Sequence, residues 1–141
     1  MKKNLVRDWM SPNPVTIGPK TSLHDAHKLM KDSHVRRLMV VDHDKLIGIV
    51  TLGDVQGAEP STATSLSVFE LNYLLAKLTI DEIMTRNVIT VQAGAAVRDA
   101  ARLMLEHDIG GLPVMDGDKL IGIITESNIF RVLVQSPEEV A

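Results

Sequence analysis

Lys45-Leu46-Ile47-Gly48-Ile49-Val50-Thr51 returns as Lys119-Leu120-Ile121-Gly122-Ile123-Ile124-Thr125. The spacing is 74 residues, and it extends outward without a gap. It aligns Met10 with Met84, Asn13 with Asn87, Thr16 with Thr90, Asp25-Ala26 with Asp99-Ala100, Leu29-Met30 with Leu103-Met104, and Asp42 with Asp116. Roughly a third of the positions from Val6 to Val55 match their partners, which makes this an internal repeat. Two copies point to a pseudo-two-fold domain, not a solenoid. A cleft between two such halves is a natural place for a small molecule.

Each copy reads as β-α-β-β-α. Val15-Thr16-Ile17 is a short β-branched strand between Pro14 and Gly18-Pro19. Ser22, with Asp25 three residues on, opens a helix whose apolar stripe is Leu23, Ala26, Leu29 and Met30. Leu38 to Val41 and Leu46 to Thr51 form a hairpin through Asp42-His43-Asp44-Lys45. A short helix starts at Leu52 with Thr51 as its N-cap. In the second copy the strand is Ile89-Thr90-Val91, and the helix stripe is Val97, Ala100, Leu103 and Met104. The hairpin joins Leu112–Met115 to Leu120–Thr125, and the last helix, Glu126 to Val134, packs through Ile129, Val132 and Leu133. The runs around Ile47 and Ile121 are apolar almost throughout, so they are expected to be central and covered on both faces. The fold class is therefore α+β, two tandem repeats with pseudo-two-fold symmetry. The boundaries are repeat 1 at 1–55, a linker loop and helix at 56–79, repeat 2 at 80–135 and a tail at 136–141.

The chain of 141 residues has 45% hydrophobic residues, enough for one buried core. Trp9, Phe69, Tyr73 and Phe130 are its only aromatic residues, so Leu, Ile, Val and Met must fill that core. A net charge of −3 offers no basic field for nucleic acid. There is no cysteine, which removes disulfides and thiolate chemistry. No apolar stretch reaches membrane-spanning length, and the N-terminus lacks a leader pattern. A cytoplasmic location with no membrane partner is expected.

The linker is not repeated. Residues 57–65 are small and polar and read as a mobile loop. Ser67 to Lys77 reads as a helix with a stripe of Leu71, Leu74, Leu75 and Leu78, and a second apolar pair, Phe69 and Tyr73. Either this helix packs wholly on its own domain, or the second pair meets another subunit.

Gly48, Thr51 and Asp54 form the chemical candidate. A glycine inside a strand lets something approach the backbone. Thr51 offers a hydroxyl, and a carboxylate one turn on can take both hydroxyls of a ribose. The alternative is a capping threonine followed by an acid in the first helical turn. In the second copy Asp54 becomes Asn128, which keeps hydrogen bonding and loses the charge. Glu126, beside Thr125, opposes a polyphosphate. Arg36 and Arg37, suited to phosphate by their fork geometry, face Gly110 and Gly111 in the alignment. His24 and His27 stand one turn apart, but spacing supplies no third metal ligand. Met10/Met84 and Met30/Met104 read as core filler.

The segments Met10–Thr16, Arg36–Asp42 and Gly48–Asp54, with Met84–Thr90, Gly110–Asp116 and Gly122–Asn128, resemble a cystathionine-β-synthase (CBS) domain pair. The resemblance spans almost the whole chain. It implies a stand-alone regulatory module that binds an adenosyl compound (AMP, ADP, ATP or S-adenosylmethionine), associates as a homodimer and acts on another protein. It implies no catalysis and no cofactor beyond that effector. The ligand positions it implies are Thr16, Arg36, Arg37, Leu38, Thr51 and Asp54 in one copy, and Thr90, Gly111, Pro113, Thr125 and Asn128 in the other. The competing reading is a dimeric interaction or scaffold protein with a vestigial nucleotide site. No nucleophile elbow, phosphate loop or metal triad supports an enzyme.

Overall fold

Residues 4–59 and 67–136 are described by a computed structural model. In chain order the elements are α1 (Val6–Trp9), β1 (Ser11–Pro12), β2 (Thr16–Ile17), α2 (Leu23–Ser33), β3 (Arg37–Asp42), β4 (Lys45–Thr51), α3 (Leu52–Ala58), α4 (Val68–Lys77), a 3-10 turn (Ile80–Glu82), β5 (Val91–Gln92), α5 (Val97–His107), β6 (Gly111–Asp116), β7 (Lys119–Thr125) and α6 (Glu126–Gln135). They form two compact units. The inner unit is Val15–Val88, and the outer unit joins the residues up to Pro14 to those from Ile89 onward. The units are thus cut about ten residues away from the sequence repeats. Residues 60–66 and 137–141, part of the expected loop and most of the tail, lie outside the described residues.

In the inner unit β2 lies parallel to β3, and β3 pairs antiparallel with β4. The hairpin turns on His43 and Asp44, both at positive φ (50° and 62°), as a type I′ turn requires. Ser22 Oγ accepts from the Asp25 N–H at 3.1 Å and starts α2. His34, at φ 56°, stops it in the left-handed region. Leu23, Ala26 and Met30 of α2 pack with Leu38, Val40, Val50 and Val55. Ile80 and Met84, from the start of the second repeat, complete this core.

The outer unit mirrors that exchange. Its sheet runs β1-β7-β6-β5, and β1, from the first repeat, pairs antiparallel with β7. Val6 of α1 is fully buried with Val97, Ala100, Met104, Leu112, Ile124 and Val132. Each core is therefore closed by a segment that belongs by sequence to the other repeat.

Gly48 and Gly122 show why the repeated strand carries a glycine. A Cβ on Gly48 would sit 2.5 Å from Met84 Sδ and 3.1 Å from the Thr85 carbonyl oxygen. A Cβ on Gly122 would sit 2.6 Å from Met10 Sδ and 2.8 Å from the Ser11 carbonyl oxygen. The backbone approach expected of a ligand at Gly48 is made by the chain itself. The methionines are core filler, as their pairing suggested, and they also press directly on these glycines.

Several sequence expectations shift. β4 is not central: β3 is the middle strand, with Leu38, Met39 and Val40 buried in succession, while β4 ends the sheet apart from a bridge between Ile49 and Thr85. The β5 strand is Val91–Gln92 instead of Ile89–Val91, because only these residues reach register with Val114 and Met115. α3 continues through Gly57 and Ala58, which read as loop. On α6 the inward residues are Asn128 and Val132, with Ile129 half-buried, and Leu133 is exposed. On α4, Leu71 is half-buried and Leu74 is exposed, and Leu78, which caps its C-terminus, is half-buried. Leu75's side chain lies outside the described set.

An ion pair ties the second repeat's first residues to the inner unit. Lys20 Nζ donates to Asp81 Oδ2 at 2.7 Å, the Thr79 hydroxyl donates to the other carboxylate oxygen, and Arg86 Nη2 donates to the Asp81 carbonyl at 3.0 Å. The hydrogen bond from Lys20, then that from Thr79, holds the Asp81 carboxyl below its ordinary value, and the same pairing raises Lys20. A depressed carboxyl stabilises the fold fully above its unfolded value of 3.8, and that share vanishes as pH falls through the lower folded value. The raised lysine contributes below 10.5 and is lost as pH rises through its folded value. Asp81→Asn is expected to flatten both limbs, read as urea midpoints against pH. Unchanged limbs would contradict this assignment.

Candidate functional site

In the inner unit the hairpin's open end and the start of α3 meet. Arg37 stands opposite Thr51 across β3 and β4. The Leu52 N–H donates to the Arg36 carbonyl at 2.8 Å, so the arginine pair is fastened beside the helix start. Thr51 Oγ1 accepts from the Asp54 N–H at 3.1 Å, and Asp54 Oδ2 accepts from the Thr51 N–H at 2.9 Å. This reciprocal capping box fixes both side chains before any ligand is considered. It occupies one carboxylate oxygen of Asp54 and one acceptor lone pair of Thr51. The other carboxylate oxygen and the hydroxyl proton lie outside the box. Thr16 is exposed on β2 at this end of the sheet, paired in register with Met39. The Leu38 side chain is fully buried in the core, so a ligand contact at this position would use its backbone.

The outer unit repeats the frame with different chemistry. Gly111 stands opposite Thr125, and the Glu126 N–H donates to the Gly110 carbonyl at 3.1 Å. Asn128 Oδ1 accepts from the Thr125 N–H at 2.8 Å and from the Thr125 hydroxyl at 3.1 Å. Asn128 is 4% exposed, so its carbonyl is enclosed with two donors already on it. Thr125 thus spends its proton inward, where Thr51 does not. Gly111 and Pro113 are buried, and Thr90 is half-buried ahead of β5. The backbone therefore places Arg36, Arg37, Thr51 and Asp54 at one end of the inner unit's sheet, with Thr16 on the neighbouring strand. In the outer unit the corresponding frame holds no arginine.

One contact escaped the sequence reading. His27 Nδ1 lies 2.6 Å from Glu59 Oε1, joining α2 to the end of α3. They stand 32 positions apart, and no periodicity signals the pairing. His24 and His27 line a cavity with Lys28 and Lys31, and among the described residues no group of three His, Asp or Glu is placed to hold a metal.

The CBS domain matches residues 6–60 and 80–135, and the chain belongs to the CBS-domain family as a CBS pair. A CBS domain-containing protein of Dictyostelium discoideum is 34% identical over 140 residues, covering 98% of this chain and 97% of its own. The structure of CBSX2 in complex with AMP superposes with a TM-score of 0.77 at 33% identity, covering 94% of this chain and 97% of that one. The CBS domain pair of protein MJ0100, in complex with 5′-methylthioadenosine and S-adenosyl-L-methionine, gives 0.76 at 33% identity, covering 94% and 98%. The chain spans only 23% and 32% of two Methanocaldococcus jannaschii relatives. No helix among the described residues is long and apolar enough to cross a membrane.

Proposed function

We propose that this chain is a non-catalytic regulatory module whose effector is a phosphorylated adenosyl compound, held at the inner unit where β3, β4 and α3 meet. The observation that supports this is the backbone placement of Arg36 and Arg37 beside Thr51 and the start of α3, where Thr51 and Asp54 form the capping box. Guanidinium forks suit a phosphate, and the carboxylate suits ribose hydroxyls. The AMP held by CBSX2 supports the ligand class, and the 5′-methylthioadenosine and S-adenosyl-L-methionine held by MJ0100 support its adenosyl part alone. Binding to the folded state raises the melting temperature by mass action. A thermal-shift series with AMP, ADP, ATP, S-adenosylmethionine and NAD tests the reading, and no shift with any of them, or a shift with S-adenosylmethionine alone, overturns it.

The arginines are expected to set preference within that class. Arg36→Ala/Arg37→Ala should bring AMP affinity down to that of adenosine, measured by calorimetry on both ligands. A variant that keeps the wild-type preference removes the arginines from the site.

A second reading is a self-associating interaction module. It is favoured by Phe69 and Tyr73 on α4, 84% and 55% exposed. Monomers avoid apolar patches of this kind. A homodimer at micromolar concentration is expected, with Phe69→Ser/Tyr73→Ser weakening it in light scattering. A monomeric wild type overturns self-association.

A further inference from the structure

One face of α2 carries a basic cluster that the proposed nucleotide site does not use. His24, His27, Lys28 and Lys31 recur at helical spacing and line a cavity of ≈ 240 Å³. The helix cannot turn them elsewhere, because Leu23, Ala26 and Met30 are locked in the inner core. His27 is half-buried, and the other three are exposed. One oxyanion of the chain already sits on this cluster, since Glu59 Oε1 lies 2.6 Å from His27 Nδ1. Among the described residues His24, Lys28 and Lys31 have no ion pair, and Asp25 and Asp32 on the same helix pair with neither lysine. The counterparts 74 residues on are Arg98, Ala101, Arg102 and Leu105, and Arg102 is turned to Asp99 at 3.5 Å. The cluster therefore belongs to α2 and not to the repeat.

Two ammonium groups one helical turn apart repel each other, and an oxyanion between them reverses that balance. Lysine meets a phosphoryl oxygen as a point charge. An imidazole adds an N–H donor in either protonation state. The cavity is smaller than the roughly 300–1,000 Å³ pockets that enclose organic ligands, so its occupant is compact. We propose that the α2 cavity binds a small multivalent oxyanion of the phosphate class. Lys28 and Lys31 supply the charge, His24 and His27 supply N–H donors, and the Glu59 carboxylate competes with the anion for His27. The site shares no residue with the proposed nucleotide site, so each stands or falls without the other.

Calorimetry with inorganic pyrophosphate at fixed ionic strength decides it. Lys28→Gln/Lys31→Gln should lose about tenfold in affinity, while Arg36→Ala/Arg37→Ala should keep the lysine-dependent binding. Glu59→Gln should bind about threefold more tightly, because its amide oxygen can still accept from His27 while the competing charge is gone. A readout on the wild type needs no variant to fold: pyrophosphate should move the ring-proton NMR signals of His24 and His27 and leave those of His43 and His107 in place. No binding, or binding that survives loss of both lysines, overturns the inference. Binding abolished by the arginine variant alone also overturns it, and places the anion at the nucleotide site instead. A hexaglutamate peptide that uses the same lysines and binds more tightly than pyrophosphate would make this face a dock for an acidic protein segment, and it overturns the small-anion assignment.

Discussion

Gly122→Ala is expected to lower stability by about 1–3 kcal/mol, the usual cost of forcing a methyl group into a filled site. The upper end applies, because the new Cβ meets the Ser11 carbonyl at 2.8 Å as well as Met10 Sδ at 2.6 Å. A side chain can swing away, but a backbone oxygen in β1 can move only by breaking the pairing of Ser11 with Ile123. Gly48→Ala should cost less, since its shortest contact is to the Met84 side chain and the Thr85 carbonyl is 3.1 Å away. Gly18→Ala, with nothing within 4 Å, is the control and should be near neutral. Urea denaturation of the three variants tests the ranking. Equal, small losses at all three would mean that the methionine segments do not seat on the strands as described.

That exchange of segments was the part of the fold hardest to read from the sequence. The repeat itself was plain, and so were α2, both hairpins and the threonine caps, because each rests on local rules: capping, helical spacing and turn chemistry. Which core Met10 and Met84 enter is a long-range matter. An identical Met-x-x-Asn in both copies gives no sign that each serves the other repeat's strand. The misplacement of β4 has a similar cause. An apolar run shows that a strand is covered, and cannot distinguish a neighbouring strand from a bridging residue such as Thr85. At the candidate site the alignment showed the contrasts of Asp54 with Asn128 and of the arginines with glycines. It could not show that Thr125 turns its hydroxyl inward to Asn128 while Thr51 accepts from the helix.

Asp54→Ala is expected to weaken AMP about ten- to hundredfold, the loss of a charged acceptor worth roughly 1.5–3 kcal/mol. Asn128→Ala is expected to leave AMP binding nearly unchanged. Its cost should appear in the fold instead, about 1–3 kcal/mol, because it strips a buried acceptor from two Thr125 donors. Asp54→Ala also breaks a capping box, at about 0.5–2 kcal/mol, so melting temperatures alone would mix the two effects. Asp54→Asn separates them. An asparagine oxygen can still accept from the Thr51 N–H, which keeps the cap, while the charge offered to a ribose is gone. This variant should hold near wild-type stability and still lose most of the affinity gained from Asp54. Calorimetry well below every melting transition measures the three variants on equal terms. Equal losses at Asp54 and Asn128, or full affinity in both Asp54 variants, would reduce the Thr51–Asp54 pair to a helix cap and move the ligand elsewhere.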